Sequence, residues 1–288
     1  MKNILVTGAH GQLGQSLKKI AGEFPELNLL YTDYEELDIT SGTALQQYFT
    51  DNQVDYCINC AAYTAVDKAE SDEDKAYMLN FQGPLALAEV CTAHNAVLVQ
   101  ISTDYVFSGK QNVPYRESDE VDPQSVYGSS KMRGEAAVTG TDPKHIIVRT
   151  AWLYSEFAVN FAKRMKELMA ERPELNVVFD QAGTPTYACD LAKVLLQMVQ
   201  RVAEAPEQQF GGVYHYSNEG VTSWYDFAVA IKELTGATTV VNPITSDKYP
   251  TPAQRPAYSV FNKEKIRATF GITIPYWRDS LKECLSFL

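Results

Sequence analysis

The chain is short of positive charge: 25 lysines and arginines stand against 36 aspartates and glutamates, a net charge of −11 over 288 residues. A surface of that sign repels nucleic-acid phosphates and anionic lipid, and no basic cluster interrupts it, so neither nucleic acid nor a membrane is an expected partner. Long apolar runs are also missing. Nothing approaches the roughly 20 residues that a membrane helix needs, and Met1-Lys2-Asn3-Ile4 enters a strand without the layout of a secretion signal. Cysteine is scarce and odd in number, five in all, which excludes a disulfide framework and points to a reducing compartment, the cytoplasm. Cys57 and Cys60 are spaced C-x-x-C, but in an apolar strand and its exit rather than at a helix start. The four histidines are scattered, so no metal site is expected. Internal repeats and low-complexity segments are absent.

What is present is 45% hydrophobic residues, enough for packed cores and, at this length, for two linked ones. An apolar strand over residues 3–7 is followed by Gly8-Ala9-His10-Gly11-Gln12-Leu13-Gly14 and an amphipathic helix through residue 20. Strand, glycine turn and helix in that order form a dinucleotide site, because glycines let backbone N–H groups approach a pyrophosphate at the helix N-terminus. The spacing is G-x-x-G-x-x-G rather than G-x-G-x-x-G, and a purely structural turn is the competing reading. A second strand over 27–32 ends at Asp33, near the offset where a carboxylate meets the adenosine ribose. No arginine stands beside it, so charge favours NADH over NADPH. Asp38-Ile39 could flank the adenine, or Asp38 could cap a helix beginning near Ser41. A third strand over 54–59 opens into Cys60-Ala61-Ala62-Tyr63-Thr64, whose small residues let a flat cofactor lie against the backbone. A helix over about 74–94 and a central parallel strand over 96–101 follow.

That strand ends in Ser102-Thr103-Asp104, and a turn-rich connection leads to Tyr127-Gly128-Ser129-Ser130-Lys131. A tyrosine and a lysine four apart share a helix face. The phenol has a reference pKa of about 10, and a neighbouring ammonium would bring it toward working range. The hydroxyl of Thr103, or of Ser102, could hold a carbonyl oxygen beside it. With 17 tyrosines in the chain, about one such pair arises by chance; its weight comes from the dinucleotide motif that shares its edge of the sheet.

These stretches, with residues 59–70, Ser102-Thr103-Asp104-Tyr105-Val106-Phe107, Arg149-Thr150-Ala151-Trp152-Leu153-Tyr154, residues 180–186 and Arg255-Pro256, resemble the extended short-chain dehydrogenase/reductase family over nearly the whole chain. The resemblance implies an α/β fold: a Rossmann-type doubly wound parallel sheet with a smaller α/β C-terminal substrate domain. The sheet domain is expected over 1–150 plus about 176–213, the substrate domain over about 151–175 plus 214–288. The implied activity is reduction of the C4 keto group of a sugar carried on dTDP, by hydride from NADPH or NADH. Mapped by motif, Tyr127 is the general acid at the C4 oxygen, Lys131 lowers its pKa and holds the nicotinamide ribose, and Thr103 orients it. Thr103, Asp104 and Trp152 touch the sugar. Gly8, His10, Gly11, Gln12, Leu13, Gly14, Asp33, Asp38, Ile39, Ala61, Ala62, Tyr63 and Lys131 line the cofactor.

Two phosphates on the substrate call for local cations, and Arg255, with Lys248 behind it, is the candidate; a structural ion pair is the other reading of Arg255. Without the motif, a tryptophan following a strand is more often core packing than a site residue, and Trp152 has that competing reading. A homodimer is compatible with the family. Two alternatives remain open: another nucleotide-sugar reductase or epimerase of the same family, and a non-catalytic NAD(P)-binding regulatory subunit. Retention of Thr103, Tyr127 and Lys131 together favours an enzyme.

Overall fold

The computed structural model describes residues 1–288. Six strands, β1 (Lys2–Thr7), β2 (Leu27–Tyr31), β3 (Tyr56–Asn59), β4 (Val97–Thr103), β5 (Ile146–Thr150) and β6 (Gly212–His215), form one parallel sheet in the order β6-β5-β4-β3-β1-β2. The chain runs outward from β1 in both directions, which puts a topological switch point between β1 and β3, where open α/β sheets bind ligands. The strands are nearly all apolar because both faces are covered. Ile4, Val6, Ile58 and Val148 pack under helices α1 (Gln12–Ile20) and α5 (Ala188–Glu204), while Leu5, Cys57, Leu98 and Ile147 face the opposite layer. That layer contains α2 (Gly42–Asn52), α3 (Gly83–Ala93) and α4 (Val126–Thr141).

The helix expected over 74–94 is interrupted. It runs as Glu73–Tyr77, a π turn over Met78–Gln82, and then α3, with Asn80 in the turn. Such turns recur at functional sites because they aim a side chain that regular winding would misplace.

A second body gathers the helices Phe161–Glu171, Trp224–Thr235 and Trp277–Leu285 around Tyr154, Phe227 and Trp277. It shifts the expected domain boundary. The strand Glu174–Val178 pairs in parallel with Val240–Ile244 and places Leu175 and Val177 in this second core, so the chain rejoins the sheet at α5 rather than near residue 176. Conversely Ile266, Ile272 and Ile274 pack on the sheet core, although they follow residue 214. Apolar faces go to the nearest uncovered surface, and neither packing leaves a local mark in the chain.

Candidate active site

The C-terminal ends of β1, β3 and β4 are joined by a buried line of side chains. Thr7 Oγ1 donates to Asn59 Oδ1 at 2.5 Å, Asn59 Nδ2 to Gln100 Oε1 at 2.7 Å, and Gln100 Nε2 to the Ile101 carbonyl at 2.8 Å. Lys131 Nζ, from α4, donates to that same carbonyl at 2.6 Å. The floor of the crevice is therefore polar, satisfied and fixed.

Above it lies the glycine loop. Gly8 has φ +62°, and a Cβ there would stand 2.7 Å from Ala61 N; at Gly14 it would stand 2.5 Å from Gly8 O. These two positions admit only glycine, whereas Gly11 meets nothing nearer than 3.3 Å. Gly11 is the N-cap of α1 and no side chain caps that end, so the first-turn N–H groups are free for an anion. This fits a pyrophosphate. Asp33 accepts from His10 N at 2.7 Å and Tyr34 N at 2.8 Å, bracing the loop from β2. His10 itself is exposed.

Gln12 accepts from Ser155 Oγ at 3.0 Å. Leu13 and Ile39 are buried in the two core layers, and Asp38 accepts from the N–H and hydroxyl of Thr40 at 2.9 and 2.7 Å. The cap of α2 is Ser41, not Asp38. Leu13 and Ile39 can thus offer a cofactor only their backbone. His10, Asp33 and Glu35 bring ligand atoms within 4.8 Å of one another, but Asp33 is already engaged by two backbone N–H groups.

Ala61 and Ala62 are half-buried at the exit of β3. Tyr63 differs: its hydroxyl donates to Asp72 at 3.1 Å, and Asn80 holds its backbone N–H and carbonyl at 2.9 and 3.0 Å. Asn80 also donates to Ser130 Oγ at 3.0 Å, tying the β3 exit to α4. The sequence shows Asn80 only as a lone amide in an apolar helix.

Tyr127 begins α4, half-buried, with its ring on the edge of Tyr105 at 5.5 Å. Gly128 makes this approach possible, since a Cβ there would fall 2.3 Å from Tyr105 O. Burial pushes the Tyr127 phenol up to about 12, opposed by the Thr103 hydroxyl and assisted by the Asp104 charge. The expected lowering by Lys131 does not occur in this structure. The ammonium turns to the sheet floor instead, and burial brings it down to about 8. A raised phenol stays protonated at neutral pH, the form a proton donor needs.

Thr103 Oγ1 donates to Asp104 Oδ1 at 3.0 Å and accepts from Tyr105 N at 3.2 Å. Of the two candidate hydroxyls, it is Thr103 that stands beside the phenol. Asp104 Oδ2 and Ser102 Oγ are buried without partners. Burial also raises the Asp104 carboxyl to about 6, against hydrogen bonds that lower it. Asp104, whose charge acts on the Tyr127 phenol, leaves a buried oxygen to which a ligand hydroxyl could donate.

Trp152 takes φ +48°, a left-handed conformation that costs a β-substituted residue roughly 1–2 kcal/mol. It lies flat on Trp224, centroids 3.6 Å apart at 10°, and a Cβ on Gly183 would be 2.7 Å from its ring. Both tryptophans are half-buried. Trp152 is therefore neither core nor free surface, and Trp224 and Gly183 were not identified from the sequence. Arg255 donates to Asp67 Oδ2 at 2.9 Å, and Asp67 also accepts from Ala253 N at 3.3 Å. The anticipated free cation is thus in an ion pair, although its Nε is buried without a partner. Arg255 and Asp67 both act on the Tyr105 hydroxyl, whose ring meets that of Tyr127 edge-on. A groove of about 600 Å³ between α5 and residues 270–275 shares no residue with this site.

The chain matches the family described as RmlD substrate binding domain over residues 1–288. It is 40% identical to the dTDP-4-dehydrorhamnose reductase of Aggregatibacter actinomycetemcomitans, over 100% of this chain and 99% of that one. Among solved structures, a dTDP-4-dehydrorhamnose reductase from Clostridium acetobutylicum superposes with a TM-score of 0.91 at 44% identity, covering 99% of this chain and 98% of the other. The Bacillus anthracis dTDP-4-dehydrorhamnose reductase, solved in complex with NADP, superposes with a TM-score of 0.92 at 36% identity over 100% of both chains.

Proposed function

This chain belongs to the RmlD substrate binding domain family, and on that premise we propose that it reduces the C4 keto group of dTDP-4-dehydro-β-L-rhamnose to dTDP-L-rhamnose. NADPH or NADH supplies the hydride to C4 when bound. The observation that carries the reading is the placement of Tyr127. Its phenol, kept protonated by burial, stands beside Thr103 and within reach of the Asp104 charge, on the same sheet edge as the uncapped N-terminus of α1.

In this reading Tyr127 gives its O–H proton to the C4 oxygen as charge develops there, and Thr103 orients the oxygen. Asp104 and the ring of Trp152 position the sugar. The first turn of α1 and the loop from Gly8 to Gly14 hold the pyrophosphate, Asp33 and the Asp38-Ile39 backbone border the adenosine, and Ala61 to Tyr63 border the nicotinamide half. Lys131 holds the ribose next to the reacting carbon. Arg255 takes the substrate diphosphate on parting from Asp67. The five unpaired cysteines support a cytoplasmic setting. No helix is long and apolar enough to cross a membrane.

The test is direct. The purified protein is mixed with dTDP-4-dehydro-6-deoxy-L-mannose and each reduced nicotinamide in turn, and loss of the reduced-nicotinamide absorbance is followed with identification of the sugar product. Turnover yielding dTDP-L-rhamnose is expected; no oxidation with either coenzyme would sink the assignment. An epimerase would carry tightly bound NAD through purification, whereas a reductase exchanges its coenzyme at every turnover.

A further inference from the structure

Tyr127, Lys131 and Glu135 fall at successive four-residue steps and form one stripe of α4 turned toward the sheet. The last of them is unusual. Glu135 is a buried carboxylate held at both oxygens by Arg149 of β5, Nε to Oε1 at 2.9 Å and Nη2 to Oε2 at 2.7 Å, with the two side chains 7% and 5% exposed. The third nitrogen of Arg149 reaches His215 Nε2 at 3.3 Å, and His215 Nδ1 reaches the Tyr115 carbonyl at 3.1 Å. Burial pushes His215 down to about 3. The ring is therefore neutral, accepting from Arg149 and donating to Tyr115.

A buried ion pair is weak evidence of stabilisation, because an apolar pair of similar volume often serves as well. Anchoring α4 to β5 does not by itself require a charge. What does is the neighbour one turn away. Lys131 is 4% exposed on the crevice floor, with only the Ile101 carbonyl as partner. We propose that Glu135 is a positioning residue acting through Lys131: its carboxylate, clamped by Arg149, keeps a cation standing at the floor of the coenzyme crevice. Desolvation pulls the lysine toward neutrality, and Glu135 is the larger of the two influences opposing it, the other being the Cys60 thiol at the exit of β3. Tyr127 on α4 and Asp104 after β4 border the crevice side, while Arg149 and His215 stand behind Glu135. The clamp leaves the carboxylate in place but partly cancels its field, so the two partners act on Lys131 with opposite sign.

That opposition supplies the test. The titration of Lys131 is followed by NMR in protein with isotope-labelled lysine side chains, its signal assigned by absence in K131M. In E135Q the midpoint is expected to fall by about one pH unit, from loss of the nearer charge. In R149K, where a cation still faces Glu135, it is expected to stay close to the wild-type value. In E135Q/R149Q, where two amides bond to each other without charge, it should lie between wild type and E135Q. A midpoint that does not move in E135Q, or that moves as far in R149K as in E135Q, overturns the proposal. Should E135Q fail to fold, the double variant decides, and a midpoint at the wild-type value overturns it. The functional consequence rests on the reading of Lys131 given above, and it is separable. If that reading holds, the alkaline limb of kcat/KM follows the NMR midpoint across the series. An NMR shift with a stationary limb would refute the role of Lys131 in turnover while leaving its coupling to Glu135 intact.

Discussion

The two halves of the crevice are built from different materials. The half to which we assign the coenzyme is mostly backbone: uncapped N–H groups of α1, a loop in which Gly8 and Gly14 leave no room for a Cβ, and the exit of β3 threaded by Asn80. Its glycine loop is a single run of seven residues. The half to which we assign the substrate is mostly side chains from distant segments: Trp152 on Trp224, Gly183 beneath them, Arg255 bound to Asp67 across 188 positions of chain. Backbone recognition is indifferent to most side chains but intolerant at its glycines. Side-chain recognition tolerates change anywhere, at the expense of affinity for one particular ligand. A coenzyme common to many enzymes suits the first, and a specific sugar nucleotide the second.

Tyr127, where the halves meet, should show the largest effect. Tyr127→Phe removes the transferable proton and is expected to lower kcat by about 10²–10⁴, with coenzyme affinity unchanged by fluorescence titration; retained turnover would contradict the assignment. Next, Gly14→Ala drives a Cβ to 2.5 Å from Gly8 O. A loss of about 1–3 kcal/mol in denaturant unfolding is expected, together with weaker coenzyme binding. Gly22→Ala, which meets nothing within 4 Å, is the control and should be close to neutral.

On the other half, Trp224→Ala deprives Trp152 of its stacking surface and should raise KM for the sugar nucleotide about tenfold, the equivalent of roughly 1.4 kcal/mol. Coenzyme affinity should stay put, and a joint loss of both affinities would erase the distinction drawn between the halves. A smaller effect is expected at the ion pair. Asp67→Asn releases Arg255 and should lower KM for the sugar nucleotide severalfold in steady-state assays, whereas Arg255→Ala should raise it.

The mildest expectation concerns pH. With Asp104 raised to about 6, kcat/KM should fall as pH drops through that value and the carboxylate gains a proton, and Asp104→Asn should abolish the limb. The sign for stability is opposite. Because the native carboxyl binds its proton more tightly than the unfolded one, this group favours the fold increasingly as pH falls from about 6 toward 4.

Much of the sheet was legible because its signals are local. Strands over 27–31, 97–103 and 146–150 are apolar runs bounded by turns, and Ser125, Asn160 and Ser223 cap the helices Val126–Thr141, Phe161–Glu171 and Trp224–Thr235. The strand Val240–Ile244 has no such local signal, since Pro243 argues against a strand and only an edge pairing accommodates it. Asn80 was invisible as a site residue for a related reason: no periodicity announces a π turn.

Residue order alone carries the chemistry at hand, a phenol, a hydroxyl and an ammonium following a glycine-turned helix, because helix and strand periods are set within a few residues. Which charge each group sees depends on how distant segments pack. Lys131 turns to Ile101 and away from Tyr127, Arg255 is held by Asp67, and Glu135 is clamped by Arg149. Electrostatic environment is a property of burial and of neighbours far along the chain, and neither is written in the spacing of residues.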